Sequence, residues 1–180
     1  MRMFIAAAAF CLGFGTVHAA TLDQAGAYDL VVDGVIYDVA FEPGSCIGVF
    51  DGCDEPSDFT FSTEAEAILA RDALLALLET YPAFDNDPTF GNGCSSTSLC
   101  QFFVLHGTAA GNILHAFFGN YQLFNTTGVT TNPISTSAVL SGSATYTKWT
   151  EIGVVPLPAS ALLLVFAMGG LAAVGRSRKS

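Results

Sequence analysis

Ala27-Tyr28-Asp29-Leu30-Val31-Val32-Asp33-Gly34-Val35-Ile36-Tyr37-Asp38-Val39-Ala40-Phe41 is two β-rich runs around one turn dipeptide. Asp33-Gly34 is a pair that accepts positive φ at both residues, which a two-residue hairpin requires. In the second run Val35, Tyr37, Val39 and Phe41 alternate with Ile36, Asp38 and Ala40. One face of the hairpin is therefore apolar and needs cover. Cover follows downstream, after Phe59-Thr60-Phe61. Thr63 is a good N-cap, Glu66 stands three residues on as its capping-box partner, and Pro82 stops the run, so the pattern predicts a helix over 64–81. Glu64, Arg71, Asp72 and Glu79 share one polar stripe. Ala67, Ala70, Ala73, Leu74, Leu77 and Leu78 cover the opposite arc, where Glu66 is out of place except as a cap. A helix with one narrow polar stripe packs on a sheet.

The second half reads as further strands: Gln101-Phe102-Phe103-Val104-Leu105, Ala116-Phe117-Phe118, Tyr121-Gln122-Leu123-Phe124, and 143–150 with Tyr146 and Trp149. Gly, Asn, Thr and Ser fill the gaps, and the Thr-rich stretch 125–137 is expected to be an exposed loop. The fold class expected is α+β: an antiparallel sheet with one main helix packed on it. There is no internal repeat.

Charge and cysteine content bound the function. The chain has 180 residues, 12% of them charged and 51% hydrophobic, with a net charge of −10. Disorder is excluded by that hydrophobicity, and nucleic acid is excluded by the acidic balance. Fifteen of the 16 acids fall within 23–87, and none within 88–150. Four cysteines lie in the central region: Cys46, Cys53, Cys94 and Cys100. An even number in an exported chain implies disulfides, and four cysteines permit three pairings. Cys46–Cys53 and Cys94–Cys100 are favoured, because each pair is close in sequence and sits among glycines and other turn formers. The spacings do not match a zinc ribbon.

Both ends read as addresses. Arg2, the uncharged run 3–15 and Val17-His18-Ala19 make a secretory signal peptide over 1–19, with cleavage expected before Ala20. At the other end Val155-Pro156-Leu157-Pro158-Ala159 opens a 17-residue charge-free run, 159–175, roughly 25 Å long as a helix and near the short limit for a span. Arg176, Arg178 and Lys179 follow and act as a basic stop that holds that end in the cytoplasm. The expected organisation is a signal peptide over 1–19, an extracytoplasmic domain over 20–153, and a C-terminal signal over 154–180 with a transmembrane helix. Between Ala20 and Val155 two bases stand against 16 acids, a net charge of −14.

The proline motif, short apolar helix and basic cluster, in that order, resemble the bacterial PEP-CTERM family of sorting signals. Val155-Pro156-Leu157-Pro158-Ala159 is similar to its VPLPA-CTERM variant. The resemblance covers about 26 residues. It implies an exosortase-type membrane enzyme as processing partner, cleavage near the motif, and association with exopolysaccharide and biofilm. Tyr37-Asp38-Val39-Ala40-Phe41 with Gly44-Ser45-Cys46 and Phe50-Asp51-Gly52-Cys53-Asp54 also resembles the opening segments of other secreted proteins with such tails. That second likeness supplies no activity.

A catalytic set is missing from the pattern. Only His106 and His115 remain outside the signal peptide, and no Gly-x-Ser-x-Gly elbow or metal motif occurs. Asp51, Asp54, Asp58, Asp85 and Asp87 lie among turn formers, where Asp is common for conformational reasons. Asp85-Asn86-Asp87 has a fragment of calcium-loop spacing without the glycine and the closing Glu. The expectation is a non-enzymatic exported surface or matrix protein with no cofactor and no metal. It sits in the inner membrane as a precursor, then at the cell surface or in the matrix. Two alternatives stand beside it. One is a carbohydrate-binding or carbohydrate-active domain in which Tyr121, Tyr146 and Trp149 line a sugar site. The other is a permanently anchored single-span protein.

Overall fold

Asp33 and Gly34 take φ of 48° and 81°, the paired positive values of a type I′ turn. They join β2 (Gly26–Val32) to β3 (Val35–Glu42), with Val32 opposite Val35. A bulge in β2 puts Asp29 at φ 57° and shifts the register between Ala27 and Leu30. The bulge keeps Ala27, Leu30 and Val32 all buried on one face, which strict alternation does not allow.

These strands belong to the computed structural model of residues 19–155, which leaves aside 86, 122–123, 131–133 and 141; for 85, 121, 124–126 and 129–130 only the backbone is described. The compact unit spans His18–Val154. β1 (Thr21–Leu22) flanks β2. The other long strands are β5 (Leu99–Ala109), β6 (Asn112–Tyr121), β7 (Phe124–Thr130) and β9 (Ala144–Val154). Together they make a seven-stranded sheet in the order β1-β2-β3-β9-β5-β6-β7. β4 (Gly44–Ser45) and β8 (Val139–Leu140) form a separate small ladder.

The sheet is antiparallel-rich, with one departure. β9 returns from the far side of the chain and inserts between β3 and β5, antiparallel to the first and parallel to the second. A parallel pair needs a long crossover, which the stretch between β5 and β9 provides. β7 corrects the sequence reading as well. The first part of the segment expected as an exposed loop, 125–130, belongs to β7, which pairs with β6 from His115↔Thr130 to Tyr121↔Phe124. Threonine is polar but β-branched, so it suits the edge of a sheet. The single strand expected at 121–124 is divided: Tyr121 ends β6 and Phe124 opens β7 as its partner, while 122–123 lie outside the described residues.

The main helix, α2 (Glu64–Leu78), lies across β2, β5 and β6. Thr63 Oγ1 accepts from the Glu66 N–H at 3.3 Å, and the Glu66 carboxylate accepts from the Thr63 N–H at 3.1 Å, so both halves of the capping box are made. The helix ends three residues earlier than the sequence pattern, at a C-cap on Glu79. Ala67, Ala70, Leu74 and Leu78 face the sheet and meet Phe41, Phe102, Val104, Phe118 and Trp149 in the larger core. Arg71 is also buried, which the stripe reading did not foresee. Its guanidinium donates to the Gly128 carbonyl at 3.0 Å and pairs with Asp72 at 2.7 Å.

The opposite face is covered by the loop that carries α1 (Cys46–Val49) and the 3₁₀ turn Pro56–Asp58. Phe50, Phe59, Cys46 and Cys53 pack there against Phe103, Leu105, Ile113 and Tyr146. Burial on both faces explains why Phe102-Phe103-Val104-Leu105 is continuously apolar rather than alternating. A third short helix, α3 (Pro82–Asp85), brings Phe84 under Phe102 and Phe118. Among the described residues no helix is long and apolar enough to cross a membrane.

Candidate functional site

Two disulfides fix the loops. Cys46 is bonded to Cys53 and Cys94 to Cys100, each pair with Cα atoms 5.7 Å apart. The first clamps the loop over one face of the sheet. Lys148 donates to the Val49 carbonyl at 3.0 Å and ties the same loop to β9. The second ties the segment before β5 to the body of the strand, and Asn92 Nδ2 donates to the Phe41 carbonyl at 2.8 Å beside it. Each ring is short, so each contributes about 2 to 2.5 kcal/mol in the chain-entropy picture.

The aromatic residues expected to line a sugar site take a different place. Tyr146 is fully buried and Trp149 is 6% exposed. Trp149 packs edge-on against Tyr37 and Phe61, at 5.8 and 5.2 Å between ring centres. Its indole N–H donates to Thr147 Oγ1 at 2.9 Å, and that hydroxyl donates to the Phe103 carbonyl at 2.9 Å. The polar end of the indole is thus satisfied internally, and the residue is almost wholly withdrawn from solvent. Tyr146 and Trp149 are core residues and do not form a stacking platform. The Tyr121 side chain lies outside the described residues.

His115 is buried on the face beneath α1 and lies edge-on to Phe103 at 4.4 Å. Neither ring nitrogen meets a hydrogen-bond partner of good geometry among the described residues. Burial pulls its pKa down to about 4, against a weaker upward pull from the Ile113 backbone; His106 adds to the downward shift. It is a neutral core imidazole at neutral pH. His106 is half-buried, and its pKa is lowered by burial against an upward pull from Glu64. Burial also pushes the Tyr146 phenol up to about 12, against a weaker downward pull from the Cys46 backbone, and among the described residues its hydroxyl meets no partner of good geometry.

The loop acids serve the backbone. Asp58 accepts from the N–H groups of Asp54 and Glu55 at 2.9 and 3.0 Å, which holds its carboxyl below the usual range. Asp87 accepts from the Thr89 N–H and hydroxyl at 2.9 and 2.6 Å, and its pKa falls for the same reason. Among the described residues no three His, Cys, Asp or Glu side chains gather as a metal would require. A cleft of about 170 Å³ opens beside Tyr37, between the β2–β3 turn and α2. It is lined by Val35, Phe61 and Leu69, with Asp33 and Glu66 at its rim. The Glu66 carboxylate is occupied by its capping-box bonds.

No family model, no curated protein and no solved structure matches this chain. What the chain does must therefore be argued from its own residues. Of the sorting motif, Val155 is half-buried just after β9; Pro156, Leu157, Pro158 and Ala159 lie outside the described residues, as do Arg176, Arg178, Lys179 and all but the last residue of the expected signal peptide. Sequence reasoning left His115 open between a packed and a surface position and missed the burial of Arg71. Both depend on which strands become neighbours.

Proposed function

We propose that the chain is an exported, non-enzymatic protein of the cell surface or extracellular matrix, delivered by an exosortase-type sorting system. The observation that carries this reading is the ordered C-terminal series: Val155-Pro156-Leu157-Pro158-Ala159, a charge-free run over 159–175, then Arg176, Arg178 and Lys179. The apolar run holds the precursor in the membrane and the basic cluster keeps its end in the cytoplasm. The sorting enzyme acts near the proline motif and frees or re-anchors the domain among exopolysaccharide. Two disulfides support the reading, because such bonds persist in oxidising compartments. The bonding of Asp58 and Asp87 to nearby loop groups and the core position of His115 support a scaffold rather than a catalyst.

Mass spectrometry of the protein recovered separately from host membranes and from medium tests this. A C-terminus within 155–159 is the expected result. A chain intact to Ser180 and found only in membranes overturns sorting and makes the protein a permanently anchored single-span one.

A further inference from the structure

Asn92-Gly93 is the one Asn-Gly pair in the chain. In such a pair the glycine nitrogen can attack the asparagine side-chain carbonyl, because glycine has no Cβ to crowd the approach. The fold demands glycine at 93. Its φ is 89°, and a Cβ there would lie 2.8 Å from the Pro43 Cβ and 3.2 Å from Thr145 Oγ1. The Gly93 carbonyl accepts from the Gly142 N–H at 2.9 Å, which ties the loop to the approach to β9. The backbone therefore requires the residue that makes Asn92 reactive.

Asn92 is exposed, yet its side-chain amide and its backbone N–H are both engaged. Nδ2 donates to the Phe41 carbonyl at 2.8 Å, and the N–H donates to the Gln24 carbonyl at 2.8 Å. Phe41 belongs to β3, and Gln24 lies between β1 and β2, so Asn92 docks its loop on two separate segments. A groove of about 480 Å³ opens here, with Gln24, Thr89, Phe90 and Asn92 in its lining, and admits water. Departure of Nδ2 as ammonia requires that its bond to Phe41 break first.

We propose that Asn92 is a site of spontaneous deamidation that the fold holds in check, and that its conversion releases the loop over 91–94 from β3. The Gly93 nitrogen loses its proton to solvent and bonds to Asn92 Cγ. The Cγ–Nδ2 bond breaks, and ammonia leaves with a proton from solvent. Water then opens the cyclic imide at one of its two carbonyls, giving aspartate or the isomer whose main chain runs through Cγ. In sum one water enters and one ammonia leaves, with no change of oxidation state. Either product lacks Nδ2 and carries a carboxylate, so the Phe41 carbonyl loses its donor and faces an acceptor. The loss of ammonia runs one way in water, so the modification records how often this corner of the fold has opened.

The test is peptide-mapping mass spectrometry of the full wild-type chain, disulfides intact, aged in neutral buffer with and without urea. Conversion at Asn92 is expected in urea, and at a rate about tenfold or more lower in the folded chain, where local opening limits it. Equal rates overturn the restraint, and no conversion at Asn92 in urea overturns the site. Asn92→Asp supplies the product directly. It is expected to shift the unfolding equilibrium about fivefold or more toward the unfolded chain. The Gly142 N–H, held by the Gly93 carbonyl, is expected to exchange faster in that variant. An Asn92→Asp chain as stable as the wild type, with Gly142 exchange unchanged, overturns the release of the loop.

Discussion

Replacing His115 with Leu isolates the energetic effect of one buried imidazole. The folded ring has a pKa of about 4 against an ordinary value of 6.5. Between those values the unfolded chain takes up a proton that the folded chain refuses. Stability is therefore unaffected by this residue above pH 6.5 and falls as the pH drops from there toward 4. The slope is about 1.4 kcal/mol per pH unit, or roughly 3 kcal/mol over the interval. In His115→Leu that component is absent. At pH 7 the variant also loses two buried nitrogens that meet no partner of good geometry among the described residues, worth about 1 to 3 kcal/mol. It forfeits the edge contact with Phe103, worth about 0.5 to 1.5 kcal/mol. The net effect at neutral pH is slight stabilisation, and the difference between the two chains grows with acidity. Asp58, Glu66 and Asp87 also have lowered pKa values, but they are common to both chains and cancel in the difference. Urea unfolding at several pH values between 4 and 7, without reductant, measures this directly. Trp149 is the one tryptophan and is buried, so its fluorescence reports the transition. If the two stability profiles run parallel from pH 7 to pH 4, His115 is not a buried neutral imidazole, and the packing beneath α1 described above is wrong.

Thr63→Ala removes the hydroxyl that accepts from the Glu66 N–H. It is expected to cost about 1 kcal/mol in urea unfolding, and Thr63→Ser is expected to recover most of that. The double change Cys46→Ala and Cys53→Ala opens the loop over Phe103 and Tyr146, and a loss of about 2 kcal/mol in unfolding free energy is expected. In that variant β2, β3 and α2 are expected to keep slow amide exchange, because they pack on the opposite face. Uniform loss of protection would show that the two faces do not act separately.

The hairpin and the main helix were legible because their signals are local. Asp33-Gly34 meets a backbone requirement that few residue pairs satisfy, and Thr63 with Glu66 completes a cap within one helical turn. The cysteine pairs were legible for a related reason, since rings this short close among glycines whatever surrounds them. For the termini the sequence offers composition, and the export and sorting proposed for them rest on the length, apolarity and flanking charge to which a membrane responds. These determinants lie within a few residues of one another, so the linear order of the chain determines them.

The remaining features arise from contacts between distant segments. Whether β9 enters between β3 and β5 depends on two different registers along its length, and no residue within it records the choice. The Thr-rich segment resembles a loop until β6 supplies a ladder for it. Trp149 and Tyr146 resemble candidates for sugar contact until α2 covers one face of the sheet and the disulfide loop covers the other. Arg71 joins a solvated stripe on the helical wheel, yet folding brings the Gly128 carbonyl to it from 57 residues away. Burial is set by what packs against a side chain. The sequence alone therefore determined the local elements, and tertiary structure alone decided which polar and aromatic groups lost contact with water.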